Sequence, residues 1–203
     1  MGCVTTPQQD PRPLVRAAAD RARRIVENVT PEHMTAPTPC PEFDVRTLVG
    51  HLVSTLERSA AVGAGGDPRT IPESLIAADD EWPAALDTSL EHYWKVWNDD
   101  ALLDKPVTAP WGTFPGRIAV LVELDELIVH GWDLAVATGQ EAEADPPLAE
   151  AALEVMRLAL PASPRDGLPF GPPVEPASDA GATERLANWL GRDTAPWVRH
   201  ERA

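Results

Sequence analysis

The chain has 203 residues, with 17 Lys plus Arg against 32 Asp plus Glu, a formal net charge of −15 and a pI near 4.6. That length allows one domain with a sizeable core, and we read residues 1–203 as one domain, a bundle over about 10–140 and a C-terminal extension over 141–203. Nucleic acid and anionic membrane surfaces are not expected partners, because both require a basic face. No window has the uninterrupted apolar length of a membrane span, and the N-terminus lacks a basic stretch followed by an apolar one. A soluble cytoplasmic protein is expected. Cys3 and Cys40 do not make a disulfide framework, which fits a reducing compartment.

In chain order, Leu14, Ala18, Ala22, Ile25 and Val29 form a helical stripe over Pro11 to Val29, with Asp10 as its cap. Three prolines between Thr35 and Phe43 forbid a regular helix. Asp44 then caps a second helix carrying Val45, Leu48, Val49, Leu52, Val53 and Leu56, which ends at Gly63 to Asp67. A third runs from Pro72 or Asp79 to Asn98 and presents Leu86, Leu90, Tyr93, Trp94 and Trp97. Residues 104–116, rich in Pro and Gly, read as a long connection. The fourth helix spans about Phe114 to Thr138 and stops at Gly139. Beyond it lie helices around Leu148 to Leu160 and Thr183 to Leu190, separated by a Pro- and Gly-rich passage. Four amphipathic helices with long links after the first and third predict an all-α four-helix bundle with crossover connections.

The fourth helix is apolar nearly all round, so it should be buried. Yet Glu123, Glu126, His130 and Asp133 fall within an arc of roughly 80° on its wheel, and buried carboxylates are costly unless paired, protonated or metal-bound. Asp125 lies off that arc. Glu126 and His130 are four apart and share a face. In a bundle a metal site draws on facing helices, which makes His51 of the second helix the third candidate ligand. Two histidines and a carboxylate suit zinc with a position left for water or substrate, although nickel, iron and manganese fit the same donors. Asp133 is placed to accept the second ring proton of His130 or to serve as a further ligand. The plainer alternative is a set of buried side chains that only hydrogen-bond one another.

His33, His92 and His200 read as solvated, and Cys40, before the second helix, as a packing residue. Trp82, Trp94, Trp97, Trp111 and Trp132 read as core or interface aromatics, and Trp111 and Phe114 also as candidates to line a substrate entrance.

Three segments carry a family resemblance: Thr38-Pro-Cys-Pro-Glu-Phe-Asp-Val-Arg-Thr-Leu-Val-Gly-His-Leu-Val, Glu126-Leu-Ile-Val-His-Gly-Trp-Asp-Leu-Ala-Val-Ala-Thr-Gly, and Leu186-Ala-Asn-Trp-Leu-Gly-Arg-Asp. Together they resemble the DinB-like, mycothiol-dependent maleylpyruvate isomerase N-terminal superfamily, and within it the short metal-binding proteins. The resemblance implies a four-helix bundle with a divalent metal, usually zinc, on His51, Glu126 and His130. It also implies a low-molecular-weight thiol such as mycothiol as cosubstrate, held as a metal-bound thiolate for transfer to an electrophilic substrate or for isomerisation. The tail after Gln140 is short and Pro-rich, unlike the further C-terminal domain of the isomerase itself, which puts that exact isomerisation in doubt. A metal-dependent hydrolase using activated water and a non-catalytic metal-binding stress or interaction module are the alternatives. A homodimer is compatible with these features.

Overall fold

The computed structural model describes residues 10–167 and 170–198. Cys3 and His200 lie outside the described residues. Helix α1 (Arg12–Glu27) buries Val15, Ala18, Ala22, Ile25 and Val26. Asp10 does not cap it, contrary to expectation. Pro11 is already helical and takes the cap position, so Asp10 sits one residue too early and instead accepts from the backbone and guanidinium of Arg12 at 3.0 and 2.7 Å.

Helix α2 (Val45–Gly63) starts as expected, with the Asp44 carboxylate accepting from Thr47 N at 2.9 Å. Helix α3 (Trp82–Trp97) starts later than the earliest reading, with Pro83 in the first turn where its missing N–H costs nothing. Residues 71–78 are therefore not helical. They lie as a strap along α2, where Leu75 N donates to Gly50 O at 3.0 Å and Ser74 Oγ to Thr47 O at 2.8 Å. Glycine at 50 permits this, because a Cβ there would collide with the Leu75 carbonyl oxygen.

The supposed irregular connection holds an antiparallel hairpin, β1 (Pro106–Ala109) and β2 (Gly112–Pro115), with Val107 opposite Phe114. Val107 and Ala109 point inward and Pro106 and Thr108 outward, a period of two too brief to stand out among the prolines. Phe114 and Pro115 belong to β2, so α4 (Gly116–Ala137) begins two residues later than expected. Gly139, at φ +67°, ends it in the left-handed conformation that glycine adopts freely. Helices α5 (Pro146–Ala159), α6 (Ala182–Trp189) and α7 (Ala195–Val198) follow.

The principal contacts of α1 are with α3 and α4, and those of α2 are with the same two helices. Consecutive helices α1 and α2 therefore sit across a diagonal, as do α3 and α4, and the long links after α1 and α3 cross the bundle ends. The fold is the all-α four-helix bundle the helical pattern predicts, and it agrees with the DinB-like type that the family resemblance implies. Helix α4 also packs against α5 and α6, so it is enclosed on every side. That enclosure explains why its surface is apolar all round. Trp82, Trp97, Trp132 and Tyr93 are fully buried in the core. Among the described residues, no helix is long and apolar enough to cross a membrane.

Candidate metal centre

Halfway along α4 the enclosed helix turns its polar face toward α2 and brings His51, Glu126 and His130 together, with one ligand atom of each within 4.8 Å of the others. Glu126 Oε2 lies 3.3 Å from His130 Nε2 and 3.8 Å from His51 Nε2. The imidazole rings stand edge to face, with centroids 5.0 Å apart.

Each ring is oriented through its other nitrogen. His51 Nδ1 donates to the Glu73 carbonyl oxygen of the strap at 2.7 Å. A carbonyl can only accept, so this proton is on Nδ1 and Nε2 keeps its lone pair for the site. His130 Nδ1 donates to Asp133 Oδ2 at 3.0 Å, and Arg192 Nη2, from the segment after α6, donates to the same oxygen at 3.0 Å. Buried Asp133 is thus held between two donors. Burial pushes its carboxyl up, but Arg192 and His130 outweigh burial and keep it below the usual carboxylate range. Burial lowers His130, whereas Asp133, Cys40 and Glu126 raise it further, leaving it well above the ordinary imidazole value.

Glu126 makes the strongest case for a cation. Burial disfavours its charge, yet the two imidazoles hold it below the usual carboxylate range. Its Oε2 is buried and has no hydrogen-bond partner: His51 Nε2 carries a lone pair and lies 3.8 Å away, and His130 Nε2 at 3.3 Å makes no hydrogen bond to it. A buried, unsatisfied carboxylate oxygen costs about 1–3 kcal/mol or more. A metal with bonds near 2.0–2.1 Å and tetrahedral angles places its ligands about 3.3 Å apart, close to the two separations found. The donors fit zinc.

A second cluster, Cys40, His130 and Asp133, also has ligand atoms within 4.8 Å. The Arg192 guanidinium is already there, 3.3 Å from Cys40 Sγ and 3.0 Å from Asp133 Oδ2, and it supplies the positive charge a metal would bring. Cys40 is therefore more than a packing residue. Its Sγ is 3.4 Å from Asp133 Oδ2 and 4.0 Å from His130 Nδ1. Proline-rich chain ahead of α2 folds back on α4, which spacing along α2 alone did not reveal.

The triad opens into a cavity of about 810 Å³ whose wall includes Phe43, Thr55, Arg58, Glu123, Trp111 and Arg192. Glu123, one turn before Glu126, accepts from Thr55 Oγ1 at 3.1 Å, and burial and the Glu126 charge push it up to about 8. Asp125, also buried, is pushed to about 8 by the same two causes. Trp111 is not a core residue: at the hairpin tip it is 63% exposed and lines the cavity. Phe114 lies behind it, with ring centroids 6.4 Å apart and planes 16° apart. His33 caps its own turn by accepting from Thr30 N, and exposed His92 pairs with Glu57. Neither takes part in the site.

Sequence reasoning gave no role to Arg192, although the third resembling segment contains it, and did not reach the Glu73 carbonyl. A buried aspartate on an apolar helix signals that a cation lies near, but not which arginine supplies it.

The sequence pattern of the mycothiol maleylpyruvate isomerase N-terminal domain matches residues 15–135. The chain belongs to that family. The matched stretch holds Cys40, His51, Glu126, His130 and Asp133 and ends before Arg192. Among curated proteins, this family member is similar to two uncharacterized proteins from strains of Mycobacterium tuberculosis, each 28% identical over 185 residues, spanning 90% of this chain and 98% of the relative. No solved structure matches it.

Proposed function

We propose that the protein binds one divalent metal, zinc in the first place, on His51, Glu126 and His130, and acts as a low-molecular-weight-thiol-dependent transferase or isomerase of the mycothiol type. The observation that carries this is Glu126 Oε2, buried without a hydrogen bond and facing two imidazole Nε2 atoms whose Nδ1 positions are already committed. Family membership supports the choice of thiol. A bound metal would favour the thiolate over the thiol of a coordinated sulfur.

The protein's own residues supply the rest. Glu73 O and Asp133 fix the tautomers of the two histidines, and Arg192 keeps Asp133 ionised. Phe43, packed on the His51 ring at 5.1 Å, shields that imidazole on one side, and Trp111 walls the entrance. The electrophilic substrate would enter through the same cavity.

Elemental analysis of protein purified without added metal is expected to find one divalent ion per chain. Mycothiol titrated into the zinc form in two buffers of different ionisation enthalpy is expected to give different heats, because forming the thiolate releases a proton. Absence of bound metal would overturn the proposed centre. Equal heats, or identical binding by metal-free protein, would overturn the thiolate role and favour metal-activated water.

A further inference from the structure

Arg58 is an oddity in a chain of net charge −15. Arg12, Arg23, Arg46, Arg69, Arg185 and Arg192 each sit on a carboxylate, Arg21 and Arg165 donate to backbone carbonyls, and Arg16 and Arg157 lie over tryptophan rings. The Arg58 side chain, like that of exposed Arg24, makes no hydrogen bond or ion pair among the described residues, but unlike Arg24 it is half-buried and lines the cavity. Acids are not scarce nearby. Glu123 lies on the same cavity wall but accepts from Thr55 Oγ1 and forms no ion pair with Arg58. Exposed Glu42 and Glu73 line the wall too, but the Glu73 backbone is tied to His51 at the metal end. A guanidinium left unpaired inside a cavity is suited to an anion that arrives with a ligand.

Its placement sets the distance. Arg58 follows His51 by seven residues on α2, about 10 Å along the axis and within about 20° of the same face. His51, Thr55, Arg58 and Val62 therefore form one stripe along the cavity wall, with Val62, Ala119 and Val122 supplying apolar surface. The other arginine of the wall, Arg192, is committed to Asp133 and Cys40.

We propose that Arg58 is a subsite for a carboxylate on the cavity's ligand, which reaches from the metal triad along α2 over an apolar body. The proposal rests on the thiol-binding reading for what occupies the triad end. The carboxylate belongs either to the thiol or to the acceptor that reacts with it.

The test uses two thiols of equal chain length, mercaptohexanoate and mercaptohexanol, titrated calorimetrically into the zinc-loaded protein and its Arg58→Gln variant. The acid is expected to bind about tenfold more tightly than the alcohol, the effect of one charge-assisted contact. Arg58→Gln should erase that preference and leave the alcohol's affinity within about twofold. Hexanoate is then titrated into the zinc and mercaptohexanol complex. Binding there that depends on Arg58, with no preference between the two thiols, assigns the carboxylate to the acceptor. In a parallel arm, metal-free protein is titrated with hexanoate and hexanol. If neither thiol binds the zinc form, the thiol reading falls, and the metal-free arm decides the subsite: preference for hexanoate, lost in Arg58→Gln, upholds it. No Arg58-dependent preference for the carboxylate in any arm overturns it.

Discussion

The two histidines of the triad are braced in opposite ways. His51 leans on a neutral backbone carbonyl of the strap over α2, whereas His130 leans on a buried carboxylate that itself leans on Arg192 from the far end of the chain. The neutral brace fixes only a tautomer and an orientation. The charged one also raises the basicity of the ring and ties the C-terminal segment to the site. The same nitrogen, Nε2, is presented in both cases, but through supports that should fail differently.

Removing the rings themselves gives the largest effect. His51→Ala and His130→Ala are each expected to abolish stoichiometric metal binding while the far-ultraviolet circular dichroism stays helical, because one imidazole is lost from an otherwise apolar bundle. Full occupancy of either variant in elemental analysis would dissolve the comparison.

Next comes the charged brace. Glu126→Gln, which removes a ligand charge, should weaken metal binding more than Asp133→Asn, for which a loss of about 10- to 100-fold is expected. A competition titration with a chelator reads both, and the reverse order would make Asp133 the ligand. Arg192→Gln leaves the buried Asp133 charge without its partner, so urea unfolding should show a loss of about 3–5 kcal/mol. An unchanged midpoint would mean that water or His130 alone satisfies Asp133.

The neutral brace should be sensitive to the backbone and blind to the side chain. Gly50→Ala pushes the strap off α2, with an expected stability loss of about 1–3 kcal/mol and weaker metal binding. Glu73→Ala, by contrast, should change neither, since its carbonyl makes the contact. Metal loss in Glu73→Ala would show that the carboxylate, not the carbonyl, matters.

The last effect touches stability and its pH dependence, not the metal, and concerns Asp125, which is buried on α4 and belongs to neither brace. Its carboxyl is raised from 3.8 to about 8, chiefly by burial. The folded state therefore holds a proton that the unfolded chain releases near 3.8. The stabilisation is complete below that pH and lost as pH rises through about 8. Asp125→Asn removes the dependence, so in metal-free protein its advantage in melting temperature over the parent should grow with pH up to about 8 and then level off. A constant difference across that window would place the Asp125 titration elsewhere.

Much of the site was legible beforehand because helical spacing is local. A carboxylate, an imidazole and a second carboxylate at intervals of four and three on an apolar helix have to share a face, and a lone histidine at the rim of the second helix's stripe has to look toward a neighbour. The Asp44 cap and the Gly139 stop were legible for the same reason, since each acts within a few residues of itself. Asp10 was misread because Pro11 entered the helix first, and the hairpin escaped notice because four residues of alternation are too few.

By itself, then, the sequence determined the four-helix pattern, the buried fourth helix and the polar face that meets His51, all of them consequences of periodicity and of the cost of leaving charge in an apolar setting. Tertiary structure alone decided the partners. Arg192 is 59 residues from Asp133, Cys40 is 93 from it, and Glu73 reaches His51 through a backbone atom that carries no residue identity. Such pairings depend on how the chain crosses the bundle ends and lays a strap along α2, and no local pattern encodes those paths.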